Sequence, residues 1–312
     1  MMADGNVIRR GLLVSRRVAK AGTERVLTLR PILAALKRRV RGGAVILAYH
    51  NVIPDDEPLT GAHGAHIRLR DFRWQLDLVQ EHCQVVPLDS ILDEPTDPGT
   101  YRASITFDDA YVGTLRKALP ELVRRKLPAT VFVPSGLVGR GGFWWDELGV
   151  SGWEGERLPL VKLAGRTEAI RAWAAESGVQ PRSQAPSQVA GNEEEILSAG
   201  ALPGITFGVH TVDHVNLAEL SANEIAHQLG ECRRWLHSRG LPLSTFVSYP
   251  YGLTSESVEA VVRGQAFTGG LTITGGVTPG RHRNPFRTPR LMVPAGASKR
   301  NFLLRLHGVI SS

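Results

Sequence analysis

The segment Ala103-Ser104-Ile105-Thr106-Phe107-Asp108-Asp109-Ala110 runs from a short strand pattern straight into two adjacent carboxylates. A run of this kind, Ala103–Phe107, is the mark of a strand buried on both faces, as in a parallel sheet. The same signature recurs on either side of it. Ala44–Tyr49 (AVILAY), Thr130–Val133, Ile205–Phe207, Thr245–Ser248 and Phe267–Thr274 all read as short buried strands. Helical patterns separate them. Asp71–His82 places Phe72, Leu76 and Val79 on one face, Gly113–Lys126 is helical throughout, and Ser255–Arg263 follows the fifth strand. Ser221 opens another helix, with Glu224 completing a capping box and Ile225, Leu229, Cys232 and Leu236 at helical spacing. Strands alternating with helices at this interval predict parallel βα units, closed as a barrel or open as a doubly wound sheet.

The chain has 312 residues, 42% hydrophobic and 21% charged, which allows one large α/β domain with extensions. Its two cysteines, Cys83 and Cys232, lie far apart in helical segments and form no disulfide framework or zinc ribbon. Of the net charge of +7, the basic share sits at one end. Residues 1–43 carry eleven Lys or Arg against Asp4 and Glu24, a net +9 that leaves the rest near −2. This basic N-terminal extension reads as helical, with Leu27, Leu29, Ile32, Leu33 and Leu36 on one face. Such a helix packs on the domain with its charges solvated, or makes a peripheral contact with an anionic membrane surface. It contains no aromatic residue to stack on bases, so no nucleic-acid partner is expected. No apolar run reaches the length of a signal peptide's core or a membrane span, which favours a cytoplasmic or membrane-associated location.

The main α/β domain is expected over 44–310. Between 141 and 200 the βα rhythm breaks. Pro181–Asn192 is rich in Pro, Ser and Gln, while Leu160–Ser177 reads as one helix. The stretch is too poor in apolar periodicity to bury its own core and is expected to be an insertion.

Three segments at strand ends carry chemistry. In Thr106-Phe107-Asp108-Asp109-Ala110, neighbouring side chains point apart, so one carboxylate can ligate a cation while the other reaches a bound water. The plainer reading is an acidic turn capping the next helix. In His210-Thr211-Val212-Asp213-His214, histidines four apart share a helical face at metal-binding spacing. Thr211 stands where a zinc-protease helix would carry its Glu base, so a base must come from elsewhere, and Asp108 is the candidate. In Ser248-Tyr249-Pro250-Tyr251-Gly252, Pro and Gly set a sharp turn whose backbone N–H can face a substrate oxygen.

Taken together, strand–TFDDA, strand–HTVDH and strand–SYPYG resemble the polysaccharide deacetylase (NodB homology) family, carbohydrate esterase family 4, over roughly Ala44–Asn301. Tyr49-His50-Asn51-Val52, Leu127-Pro128-Ala129-Thr130 and Phe143-Trp144-Trp145 extend the resemblance to the branch with an N-terminal Tyr-His motif and a YPYG turn. It implies an α/β fold, a deformed (β/α) barrel with its site at the strand ends. It also implies Asp109, His210 and His214 as ligands of one divalent metal ion, zinc first, with cobalt or nickel as alternatives. Asp108 would be the general base, His50 the general acid and the Tyr251 N–H an oxyanion donor. The implied activity is removal of an N-acyl group, N-acetyl above all, from an amino sugar in a polysaccharide or a lipid-linked or nucleotide-linked saccharide.

Two departures matter. Ala110 replaces the usual Gly after the aspartates, and Ser248 stands where the family often has Arg. Arg290 is the candidate to tune Asp108 in its place. His307 reads as structural, and His63, His66, His227, His237 and His282 as surface residues. The competing functions are hydrolysis of another amide or an O-acetyl ester, or a catalytically inactive carbohydrate-binding relic. Trp144 and Trp145 suit either sugar stacking or buried packing.

Overall fold

A computed structural model of the chain describes residues 30–61, 64–93, 97, 99–148, 163–273, 275–278 and 284–310. The apolar runs become six parallel strands: β1 (Ala44–Tyr49), β2 (Arg102–Phe107), β3 (Ala129–Val133), β4 (Ile205–Val209), β5 (Leu243–Ser248) and β6 (Gly269–Leu271). They pair in sequence order, each parallel to the next. β2 is buried at every position, as a strand covered on both faces must be.

The C-terminal segment closes the sheet. Thr288 bridges to Leu271 of β6, and Leu291–Met292 pairs in parallel with Leu47–Ala48 of β1. The result is the deformed (β/α) barrel, and Arg290 lies on the closing segment.

Helix α1 (Arg30–Arg39) precedes β1, and α2 (Leu69–His82) buries Phe72, Leu76 and Val79 as the pattern requires. The helix expected over 113–126 is interrupted. Thr114–Ala118 forms a wide π-turn, and only Leu119–Arg124 (α3) is regular, with Pro120 in its first turn. Such π-turns accompany functional sites because the extra residue re-aims a neighbour. Here Thr114 Oγ1 donates to the His50 carbonyl at 2.7 Å.

After β3 come α4 (Trp144–Glu147), α5 (Thr167–Glu176) and α6 (Glu193–Gly200). The helix expected over 160–177 starts at Thr167, because Ala164 and Gly165 take positive φ (50° and 69°) that a helix cannot hold. Its part over 160–162 lies outside the described residues. α6 occupies the crossover between β3 and β4 and buries Ile196 in the main core, so residues 193–200 are part of the barrel.

α7 (Ala222–Ser238) has the Ser221–Glu224 capping box and buries Ile225, Leu229, Cys232 and Leu236. α8 (Glu256–Gly264) follows β5, and α9 (Lys299–Leu306) ends at the buried His307. Both cysteines are free thiols. No helix among the described residues is long and apolar enough to cross a membrane. Residues 1–29 of the basic extension, with His63 and His282, lie outside the described residues.

Candidate active site

β2 ends inside the barrel mouth and delivers both aspartates, each about 97% buried. The chain then turns through two left-handed residues, Asp109 (φ 72°) and Ala110 (φ 53°), which sends the carboxylates to different sides. The turn therefore does require positive φ, so Ala110 carries strain that a glycine would not. Thr211, His214 and Tyr251 (φ 66°, 54° and 59°) share that conformation. Five of the eight non-glycine residues with positive φ among those described thus fall on three site loops. Strain of this kind persists where surrounding structure holds it, typically at functional sites.

Asp108 faces Arg290. The guanidinium donates Nη1 to Oδ1 at 2.8 Å and Nη2 to Oδ2 at 2.6 Å, a two-pronged, fully buried pair. Arg290 also donates to the Thr272 carbonyl, Thr106 Oγ1 and Ser248 Oγ. The small Ser248 leaves room for a guanidinium arriving from the closing segment. Burial alone pushes the Asp108 carboxyl up. Arg290, with His210 and His50 behind it, overcomes burial and holds Asp108 well below the usual carboxylate range.

Asp109 faces the two histidines of the following loop. Its Oδ1 lies 3.3 Å from His214 Nε2 and 3.5 Å from His210 Nε2, and the three ligand atoms lie within 4.8 Å of one another. His210 and His214 do not share a helical face. They sit on an irregular loop after β4, and the positive φ of Thr211 and His214 brings their rings together at 4.8 Å between centroids. The His210 Nδ1–H donates to the Ser248 carbonyl at 2.8 Å, which turns Nε2 toward the site. Burial lowers the pKa of His210, but Asp108 and Asp109 outweigh burial and raise it, so a cation must displace the Nε2 proton to bind there. Asp213 turns away and accepts from Gln228.

These residues fit a divalent cation. Asp109 Oδ1 is buried with no hydrogen-bond partner, although two ring nitrogens lie beside it. A tetrahedral zinc with bonds of about 2.0–2.1 Å would separate its ligand atoms by about 3.3–3.4 Å. The two separations from Asp109 Oδ1, 3.3 and 3.5 Å, match that spacing, and all three ligand atoms lie within 4.8 Å of one another. Burial lowers the pKa of His214 to about 3, partly offset by Asp109, so its imidazole is neutral and able to ligate at physiological pH.

His50 follows β1, half-buried, within electrostatic reach of Asp108, Asp109 and His214. Tyr251 packs its ring edge-on against His214 at 4.7 Å. Gly252, at φ 67°, has no room for a side chain, since a Cβ would fall 2.3 Å from Ile273 Cγ1. The half-buried Trp145 also packs against His214, at 4.6 Å, while Trp144 is buried.

Trp145 heads a buried network that local patterns do not reveal. Its indole N–H donates to Tyr111 Oη at 2.8 Å, and that hydroxyl donates to Asp146 Oδ2 at 2.7 Å. Asp146 Oδ1 lies 3.1 Å from His66 Nε2, and His66 Nδ1 lies 3.0 Å from the Asn51 amide nitrogen. Because Asn51 Nδ2 can only donate, His66 Nδ1 accepts and its Nε2–H points at Asp146. His66 is thus a buried partner rather than a surface residue; it is 3% exposed, whereas His227 and His237 are indeed exposed. The only sequence sign was Asp146 directly after the aromatic patch. Tyr111→Phe strips a donor from Asp146 and an acceptor from Trp145. It is expected to cost about 1–3 kcal/mol in urea unfolding, the penalty for stranding buried polar groups.

Residues 96–269 match the family described as polysaccharide deacetylase. No curated protein sequence matches the chain. Among solved structures, the chain is similar to the Streptococcus pyogenes deacetylase PplD in complex with acetate, at 17% identity and TM-score 0.60, over 85% of this chain and 98% of that one. IcaB from Ammonifex degensii follows at 22% identity and TM-score 0.57, over 80% and 91%. The deacetylase domain of BpsB from Bordetella bronchiseptica gives 16% identity and TM-score 0.51, over 80% and 94%. At these identities the likeness speaks to the fold.

Proposed function

We propose that this chain, which belongs to the polysaccharide deacetylase family, is a metal-dependent hydrolase that removes an N-acetyl group from an amino sugar. One observation carries the reading: Asp109, His210 and His214 converge on a single point while Arg290 keeps a second carboxylate, Asp108, charged beside them. The acetate held by the S. pyogenes deacetylase supports acetyl as the acyl group.

Two histidines and one carboxylate suit zinc, with cobalt or nickel as alternatives, and leave positions open for water and substrate. When bound, the ion supplies an acidified water and polarises the acyl oxygen. Asp108 takes the proton of the attacking water, since Arg290 keeps it ionised. The Tyr251 N–H donates to the acyl oxygen as charge develops there. His50 returns a proton to the departing nitrogen, without which an amine cannot leave.

The test is to strip the protein with chelator, restore zinc, cobalt or nickel, and measure amine release from N-acetylglucosamine oligomers. Activity that returns with metal supports the reading; a wild type that binds no metal sinks it. The acid role of His50 has its own check. His50→Gln is expected to slow amide cleavage by about 10²–10⁴-fold. An activated aryl acetate should be far less affected, because its leaving group needs no proton. Equal losses on both substrates would assign His50 another role.

For the substrate we favour a lipid-linked or nucleotide-linked saccharide, with the basic residues of 1–43 meeting an anionic membrane surface. Full-length protein should sediment with phosphatidylglycerol vesicles more than a form lacking residues 1–29, and less as salt is raised. Equal sedimentation would remove the support for a membrane contact.

A further inference from the structure

The two histidines of the site are held in different ways. His210 has the Ser248 carbonyl as anchor for its Nδ1–H. His214 turns its Nε2 to Asp109, but its Nδ1 is buried and makes no hydrogen bond among the described residues. A ligating imidazole depends on outer partners to fix its ring, and the second nitrogen is the usual handle. For His214 the contacts that are present are aromatic. Tyr251 meets the ring edge-on at 4.7 Å, and Trp145 meets it at 4.6 Å.

Trp145 lies on the short helix α4 and is only half-buried, so its own orientation has to be imposed. Two contacts do this. Phe143 stacks on the indole at 4.8 Å with the ring planes 8° apart, which sets the plane. The indole N–H donates to Tyr111 Oη at 2.8 Å, which sets the rotation within that plane.

The Tyr111 hydroxyl is fixed in turn. It donates to Asp146 Oδ2, and Asp146 Oδ1 accepts from His66 Nε2–H. Asn51 Nδ2 donates both to His66 Nδ1 and to the Ser187 carbonyl. Each bond in this run has one possible direction, and Asn51, His66, Tyr111 and Asp146 are all buried, so water does not compete for them. A buried network with its members paired in this way is stiff. It also starts and ends at the site: Asn51 follows His50, and Tyr111 comes two residues after Asp109.

We propose that Tyr111, Asp146 and His66 lock Trp145 against His214 and thereby orient this metal ligand, a task that the Ser248 carbonyl performs for His210. Trp145 and Tyr111 are then positioning residues, and the proposal rests on the metal-site part of the reading above.

The full chain is stripped of metal and titrated with zinc against a competing chelator, and with cobalt, whose absorption reports ligand geometry. Trp145→Leu should weaken zinc binding by about 10–100-fold, the usual effect of losing an orienting partner. Tyr111→Phe keeps the ring and should weaken it by about ten-fold, with a changed cobalt spectrum. Added to Trp145→Leu, it should weaken binding no further, because Tyr111 acts through the indole. Tyr101→Phe is the matched control. The buried Tyr101 donates to the Leu306 carbonyl at 2.5 Å, at the end of β2 remote from the aspartates. Its loss strands a buried acceptor in the same way, yet zinc affinity should stay at the wild-type value.

Equal zinc affinity in wild type, Trp145→Leu and Tyr111→Phe would overturn the proposal. Equal losses in Tyr111→Phe and Tyr101→Phe would overturn it too, as they would mark a general effect of lost stability. Additive losses in the double variant would overturn the route from Tyr111 through Trp145. Failure to release amine from any acetylated sugar, with zinc affinity still variant-dependent, would instead strike the deacetylase reading and leave the positioning role standing.

Discussion

Asp108→Asn is expected to bind metal as wild type does and to lose turnover by about 10²–10⁴-fold, the usual contribution of a positioned general base. The argument rests on the division of labour between two adjacent carboxylates. Asp108 points at Arg290 and Asp109 at the histidines, so neutralising Asp108 leaves Asp109, His210 and His214 in place. Asparagine keeps the size of the side chain and can still accept from the guanidinium through its oxygen, but it cannot take a proton from water. Asp109→Ala is the complementary case. It removes one of three ligands, so metal content and turnover should fall together. Metal content by elemental analysis and kcat/KM on the same preparations give the comparison. An Asp108→Asn protein that retains a tenth of wild-type turnover would remove Asp108 as base. One that loses its metal would show that the two carboxylates do not act separately.

Much of this arrangement is legible in the chain because its components are local. Each strand is a short buried run, and each motif begins where such a run stops, so TFDDA, HTVDH and SYPYG could be placed at strand ends from position alone. The capping box at Ser221 and Glu224 is likewise a local pattern and forms as written. The histidine spacing implied a geometry the structure does not use. Four residues suggest one helical face, but the loop brings the two rings together through the left-handed Thr211 and His214. Non-local pairings left weaker traces. Arg290 lies 182 positions from Asp108 and reaches it only because residues 288–292 close the barrel. The His66–Asp146–Tyr111 network depends on a small parallel pairing of Asn51–Ile53 with His66–Arg68, too short to leave a periodic signal. Gly61 shows how tightly that network is covered, since a Cβ there would fall 2.5 Å from both Asp146 Oδ1 and His66 Nε2.

Arg290→Met should be the most damaging substitution for stability, at about 3–5 kcal/mol, because it leaves the buried Asp108 carboxylate without its counter-charge. The guanidinium is fully buried and also serves Thr272, Thr106 and Ser248, so no surface side chain can take over. Combining Arg290→Met with Asp108→Asn removes the stranded charge and should recover a large part of the loss. Urea unfolding of the metal-free proteins gives the cycle. Its pH dependence follows from the direction of the Asp108 shift. In wild type, burial raises the carboxyl but Arg290 outweighs it, so the folded value lies below that of the unfolded chain, about 3.9. The stabilisation from this group is therefore fully present above that range and lost as pH falls through the folded value. Without Arg290, burial acts with less opposition and Asp108 moves up. The gap between wild type and Arg290→Met should be widest near neutral pH and begin to shrink as pH falls through the raised Asp108 value of the variant. It should shrink further below about pH 4, as wild type loses its own stabilisation. The same upward move should carry the acid limb of the rate profile to higher pH, because the base must be deprotonated to act. A stability gap independent of pH, with an unmoved acid limb, would mean that Arg290 only fills space at the closure of the barrel.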